Sequence, residues 1–168
     1  MILLFFAGYL VISFKKTFTF VGMKVRITKE FNFEMAHLLD NYDGLCRNIH
    51  GHSYRLFVTI IGQPEPSVES PKYGMVMDFS VLKGIVRREI VDKLDHALLV
   101  RRGTIQAQRL AGLSERIIEV DYQPTCENMV GHFAESIKPY LPSNVELFSI
   151  KLYETATSFA EWYAEDNM

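Results

Sequence analysis

Two stretches of two-residue alternation, each running into a histidine, limit what this chain can fold into. In the first, Val25, Ile27, Phe31, Phe33 and Met35 share one side of an extended backbone, interrupted by Lys29. Arg26, Thr28, Glu30, Asn32 and Glu34 share the other side. The second runs from about Ser53 to Ile61, with Tyr54, Leu56, Val58 and Ile60 as its apolar face. Period-two patterning of this kind marks strands with one face buried and one open.

Helical spacing takes over further on. Asp78 is placed to cap a helix over 79–94, in which Phe79, Leu82, Ile85, Val86 and Ile90 recur on one side. Thr125 is placed to cap a second helix, with Met129, Val130, Phe133, Ala134 and Ile137 as its apolar face and Pro139 near its end. Residues 62–74 carry three of the six prolines and read as an exposed connector. The stretch 100–115 reads as irregular and Arg-rich, 117–122 as a short strand, and 145–154 as a last strand with Phe148, Ile150 and Leu152 on one face. This order has no βαβ alternation. It predicts an α+β fold, an antiparallel sheet with two helices on one face.

The chain has 168 residues, enough for one domain with a proper core. A formal charge of −2 argues against a protein that coats nucleic acid. Two cysteines are too few for a disulfide framework, so a reducing cytoplasm is expected. Residues 1–14 are almost wholly apolar, but the run is shorter than the roughly 20 residues of a membrane-spanning helix. Lys15 and Lys16 follow it, whereas a signal peptide carries its basic residues first. Residues 1–22 therefore read as an extension ahead of a 23–168 domain, arising from a start codon placed too early. A membrane or partner anchor, or an extra strand at TFTFV (17–21), is the alternative.

The chemistry concentrates in Cys46-Arg-Asn-Ile-His50-Gly-His52. His50 and His52 are two apart, so an extended backbone points both rings to one side, the side of Tyr54 and Leu56. His37 continues the apolar register of Phe33 and Met35. Buried imidazoles need partners for their nitrogens, and three at strand ends can hold zinc with an open fourth position. Cys46 stands close enough in sequence to be a fourth ligand or a reactive thiol. Asp95-His96 follows the first helix, either as a cap or as a carboxylate-tuned acid. Glu154 falls on the face of Ile150 and Leu152, ending the strand in water or waiting for a ligand with N–H donors. Glu127 suits the first turn of its helix. Cys126 reads as packing, and His132 has no assigned role. Arg101, Arg102, Arg109 and Arg116 read as a solvated basic face, with phosphate contacts as the alternative.

Taken in order, FNFEMAH (31–37), CRNIHGHSYRL (46–56), MDFSVLK (77–83), LDHALL (94–99), PTCEN (124–128) and YET (153–155) resemble the 6-pyruvoyl-tetrahydropterin synthase superfamily. The resemblance runs from about Met23 to Trp162. Three residues separate Cys46 from His50, as in the 6-carboxy-5,6,7,8-tetrahydropterin synthases of queuosine and other 7-deazapurine pathways; the animal biopterin enzymes carry a longer interval.

The resemblance implies a tunnelling fold (T-fold), assembled as a homohexamer of two stacked trimers with active sites between subunits. It implies zinc on His37, His50 and His52, and Cys46 as general base. Asp95 and His96 become a proton relay contributed across the interface. Glu154 anchors a pterin ring, with Thr125 and Glu127 nearby. The implied substrate is 7,8-dihydroneopterin triphosphate, converted to 6-carboxytetrahydropterin, acetaldehyde and triphosphate. The alternatives are a 6-pyruvoyl-tetrahydropterin synthase, a non-catalytic zinc- or pterin-binding module, and a thiol hydrolase. Two departures stand out. The stretch 100–123 is longer than in the shortest family members, and Cys126 stands where Ser or Thr is common. Neither nucleic acid nor membrane is an expected partner.

Overall fold

The computed structural model describes residues 22–168, with a short antiparallel pairing of Phe5–Phe6 to Tyr9–Leu10 ahead of them. The extension expected over 1–22, TFTFV included, otherwise lies outside the described residues. In chain order the elements are β1 (Val25–His37), β2 (His50–Gly62), α1 (79–94), β3 (Ala97–Arg101), α2 (Ile105–Leu110), β4 (Ile117–Val120), α3 (Cys126–Ile137), β5 (Val145–Tyr153) and β6 (Phe159–Tyr163).

β1 and β2 pair antiparallel in unbroken register, from Val25 opposite Gly62 to His37 opposite His50. β5 pairs with β2, and β6 with β5, both antiparallel. On the other flank β3 lies parallel to β1, and β4 parallel to β3. The six-stranded order is β4-β3-β1-β2-β5-β6. α1 and α3 cover one face of this sheet, which makes the α+β architecture expected from the sequence.

The apolar faces read from alternation are the ones buried. Phe31, Phe33 and Met35 of β1 meet Tyr54, Leu56, Val58 and Ile60 of β2 beneath Leu82, Ile85 and Val86 of α1 and Met129, Val130 and Phe133 of α3. Phe33 stacks on Tyr54, its cross-strand partner, at 5.2 Å between centroids, and Phe133 meets Phe33 edge-on at 6.5 Å. Asp78 caps α1 by accepting the Ser80 N–H at 2.8 Å, and Thr125 caps α3 by accepting the Asn128 N–H at 3.3 Å.

Four local readings needed correction. The sheet is mixed, because β3 and β4 add in parallel at the β1 edge; neither short segment announces its direction. The stretch 100–115 is more ordered than expected. It contains the end of β3 and a helical turn, α2, capped by Thr104, whose hydroxyl accepts the Ala107 N–H at 3.1 Å. Phe148 does not share the core face with Ile150 and Leu152. The β2–β5 register shifts between Thr59 and Ile60, pairing them with Ser149 and Leu147, so Phe148 is the extra residue of a bulge. Val145 and Leu147 take the buried side before the bulge, while the Arg26 guanidinium lies 3.9 Å over the Phe148 ring on the opposite face. Finally, α1 is not uniform: Phe79–Val86 is α-helical, Arg87–Val91 is a π-turn, and Asp92–Leu94 returns to α. Phe79 stays 49% exposed at its mouth.

Phe133→Ala tests the two-layer packing. It removes an aromatic ring 1% exposed at the centre of the α3–sheet contact. The expected loss is about 3–5 kcal/mol in urea unfolding.

Candidate metal centre

The sheet delivers three imidazoles to one place by pairing alone. His37 and His50 are cross-strand partners at the last rung of β1–β2, and His52 follows His50 on the same face. One ligand nitrogen from each lies within 4.8 Å of the other two. The rings sit 4.5 to 5.2 Å apart, tilted or edge-on to one another.

Backbone carbonyls fix which nitrogens face inward. His37 Nδ1–H donates to the Pro124 carbonyl at 2.7 Å, and His50 Nδ1–H donates to the Asn48 carbonyl at 2.9 Å. A carbonyl only accepts, so each neutral ring then presents a lone pair at Nε2. Those two Nε2 atoms lie 3.1 Å apart. Two lone pairs at that distance repel; a cation between them turns the contact favourable. His52 Nε2 is buried with no hydrogen-bond partner among the described residues. An orphaned buried imidazole nitrogen beside two facing lone pairs makes a donor set that suits a metal ion. Burial also holds the His37 and His52 rings below the ordinary imidazole pKa, with the neighbouring His50 pushing the same way. Neutral imidazole is the ligating form. The three residues fit a divalent transition metal.

Glu154 completes the cluster. Its Oε1 lies 3.5 Å from His37 Nε2 and 3.8 Å from His52 Nε2, and the Tyr54 hydroxyl donates to it at 3.4 Å. Burial raises the Tyr54 pKa far above its ordinary value, with the Glu154 charge adding to it, so Tyr54 remains a donor. Sequence reading missed Tyr54. Its signal was a phenol in an otherwise aliphatic face, two residues past His52. It also missed the Pro124 carbonyl, which no side-chain pattern can reveal.

The remaining expected residues fall around this centre in different ways. Cys46 sits on a one-turn helix, Leu45–Arg47, half-buried and outside the group of metal-competent atoms. Its carbonyl accepts the Leu39 N–H at 2.9 Å, which clips the connecting loop back on itself. Thr125 spends its hydroxyl on the cap of α3, and Glu127 is exposed in the first turn of that helix. Cys126 is buried, with Sγ–H donating to the Leu152 carbonyl at 3.2 Å and burial pushing its pKa up to about 12. It is packing, as expected.

Asp95 and His96 make no hydrogen bond or ion pair to the triad among the described residues. The Asp95 carboxylate accepts the Glu34 N–H at 2.9 Å and lies 3.1 Å from His96 Nδ1. His96 adopts a left-handed φ of 59°, held by its N–H donating to the Glu34 carbonyl at 2.6 Å. Its ring is exposed and lines a cleft of about 330 Å³ with Glu34, Met35, Ala36, Gly51, His52 and Ser53. Glu34, Ala36, Gly51 and Ser53 alternate away from the triad's face, while His52 of the triad borders the same cleft. Two of the four arginines are engaged structurally: Arg102 forks onto Asp121 at 2.7 and 3.0 Å, and Arg116 donates to the Asp92 and Lys93 carbonyls.

Comparison with known proteins agrees with this geometry. Residues 26–165 match the family described as 6-pyruvoyl tetrahydropterin synthase. The chain is 38% identical over 141 residues to a 6-carboxy-5,6,7,8-tetrahydropterin synthase of Haemophilus influenzae, an alignment covering 82% of this chain and 97% of that one. It is 34% identical over 139 residues to the enzyme of the same name from a Synechocystis species, covering 82% and 92%. Among solved structures, a Wolinella succinogenes protein superposes with a TM-score of 0.65 at 21% identity, covering 84% of this chain and 99% of that one. The Caenorhabditis elegans 6-pyruvoyl tetrahydropterin synthase superposes with a TM-score of 0.62 at 22% identity, covering 84% and 96%. The chain belongs to the 6-pyruvoyl tetrahydropterin synthase family and has its T-fold. No helix among the described residues is long and apolar enough to cross a membrane.

Two measurements test the geometry. His50→Ala is expected to lower bound metal at least about tenfold by elemental analysis, while Glu154→Gln keeps it. Asp95 is held below the ordinary carboxyl pKa, chiefly by the Glu34 N–H and further by His96. A depressed acid contributes stability above its unfolded value, about 3.9, and loses it as pH falls through the lower folded value. Asp95→Asn should therefore lower the urea midpoint at pH 7, and the deficit relative to wild type should shrink as pH falls below about 4.

Proposed function

We propose that this protein is a zinc-dependent lyase that converts 7,8-dihydroneopterin triphosphate to 6-carboxy-5,6,7,8-tetrahydropterin, acetaldehyde and triphosphate. The observation that carries the reading is the facing pair of Nε2 lone pairs on His37 and His50, with the orphaned Nε2 of His52 beside them. The similarity to 6-carboxytetrahydropterin synthases, and the three-residue interval between Cys46 and His50, support this product over the 6-pyruvoyl one.

His37, His50 and His52 are the proposed ligands. A zinc ion bound there supplies Lewis acidity toward the hydroxyls of the substrate side chain. The protein's own residues supply the rest. Glu154 accepts the amino and ring N–H groups of the pterin, a paired-donor edge that suits a carboxylate, and so fixes the side chain's position. Tyr54 holds Glu154 from behind. Cys46, on its half-buried turn four residues before His50, removes a proton from the substrate side chain as thiolate. Asp95 fixes the His96 ring, which returns or accepts the second proton. Thr125 and Glu127, at the start of α3, border the pterin end.

Within one chain the Asp95–His96 pair makes no hydrogen bond to the triad, and the His96 ring is exposed. In this reading it serves the triad of a neighbouring copy, and the working unit is a homohexamer of two trimers. The likeness to a T-fold family and the exposure of His96 support this arrangement. The reaction places the protein with soluble cytoplasmic enzymes of 7-deazapurine synthesis, such as queuosine synthesis.

The test is product analysis. Zinc-loaded protein given 7,8-dihydroneopterin triphosphate is expected to release acetaldehyde and 6-carboxytetrahydropterin, identified by mass spectrometry. A 6-pyruvoyl product without acetaldehyde would assign the biopterin-type reaction instead. Cys46→Ala should lose at least about a hundredfold in turnover with metal content unchanged, in keeping with removal of a general base. Normal turnover in that variant would dismiss Cys46 as the base.

A further inference from the structure

The stretch after β3 holds a polar cavity that the proposed chemistry has not used. It has a volume of about 550 Å³ and is lined by Asp40, Asn41, Arg101, Arg102, Thr104 and Gln106. Arg102 is tied to Asp121. Arg101 is exposed and makes no ion pair among the described residues.

Register places this arginine near the metal centre. Leu99 pairs with His37 across β3–β1, and Arg101 lies two residues further along β3. That is about 7 Å along the strand, on a strand about 5 Å to the side. Alternation returns Arg101 to the side of Leu99, which packs in the main core, while Val100 packs into a separate cluster with Leu38 and Ala107.

A short chain of contacts links the cavity to the triad. The Asp40 backbone is held at both ends by the Gln123 side chain, at 2.8 and 3.3 Å, and the next residue, Pro124, supplies the carbonyl that orients His37. Asp40 is the one acid in the lining. Thr104 closes the turn by donating its hydroxyl to the Arg101 carbonyl at 2.9 Å, and Gly103 provides the left-handed φ of 74° that this turn needs. The result is an arginine on a fixed turn, facing a cavity beside the site.

We infer that Arg101 and this cavity bind the polyphosphate tail of the substrate, a role that rests on the reading of a pterin triphosphate as substrate. A substrate side chain held at the triad has its phosphates at the far end of a short carbon chain, and the cavity lies at that same end of the sheet. A planar guanidinium suits phosphate oxygens, since it offers two parallel N–H donors and keeps its charge at any working pH. The role makes Arg101 a substrate-binding residue for the tail. It takes no part in proton transfer.

Fluorescence titration with neopterin and with neopterin triphosphate separates the tail from the ring, because both are unreactive and share the pterin. The zinc-loaded wild type is expected to bind the triphosphate at least tenfold more tightly than neopterin. Arg101→Gln should abolish that advantage and leave neopterin affinity unchanged, and Arg101→Lys should recover part of it. Arg109→Gln, outside the cavity lining, should keep the wild-type advantage. Asp40→Asn should increase it, since a like charge leaves the wall. Thermal melting checks that each variant is folded; if Arg101→Gln melts early, Asp40→Asn and Arg101→Lys carry the test. An advantage that survives Arg101→Gln, or no advantage in the wild type, overturns this inference while the pterin reading stands. A wild type that binds neither probe overturns the pterin reading and this inference with it.

Discussion

The register of β1 against β2 is the constraint on which the rest of the structure depends. A slip of one residue would turn every side chain of one strand to the other face. Phe33 would lose Tyr54, the core would lose half its lining, and His37 would point away from His50 and His52. The same alternation that buries the aliphatic residues thus delivers the histidines. Core and site are set by one choice, and a loop of twelve residues (38–49) between the strands carries Cys46 without disturbing it.

What holds the imidazoles ready is the backbone around them. Each of the two carbonyl acceptors, at Pro124 and Asn48, selects a tautomer and aims a lone pair inward. This arrangement is unfavourable without a cation: His37 is 1% exposed, its Nε2 faces another acceptor, and His52 Nε2 has no partner among the described residues. A buried polar group left unpaired costs about 1–3 kcal/mol. A cation bound among the three rings would relieve that cost, and the α3 cap matters to the cluster because Pro124 precedes it directly.

Most of this was legible from residue spacing. The triad followed from parity alone, because strand geometry converts sequence separation into direction. The two helices followed from caps at Asp78 and Thr125 and from apolar spacing. The failures share a cause, which is that they depend on a partner strand. Phe148 left its expected face because a bulge opposite Thr59 and Ile60 changed the parity of β5. β4 was read as a strand at 117–122 and β3 was not, and the parallel direction of both was missed because it is decided by the crossover of α1 and α2. Tyr54 and Pro124 entered the site through tertiary contact. Asp95 and His96 stood out as a pair after the first helix, but their spatial relation to the triad could not be read from one chain's sequence.

That relation bears on how the fold could work as an enzyme. The helices cover one face of the sheet, and the triad lies at the end of that face. The other face is not a conventional solvated surface. Arg26 lies over Phe148, Arg55 over Phe57 and Tyr153, and Lys151 over Phe159 at 3.7 Å. Cations laid on aromatic rings are favoured most where water is partly excluded. β4 and β6 end the sheet as edges, which in a lone chain offer unpaired backbone groups to another strand. His96 opens on this uncovered side, in a strained left-handed conformation that the Glu34 carbonyl maintains. Strain of this kind persists where surrounding structure enforces it, and here it holds the His96 ring exposed, on a cleft that His52 also borders. The proposed oligomer, with each site completed by a second copy, would cover the open edges, the outer face and the exposed histidine together.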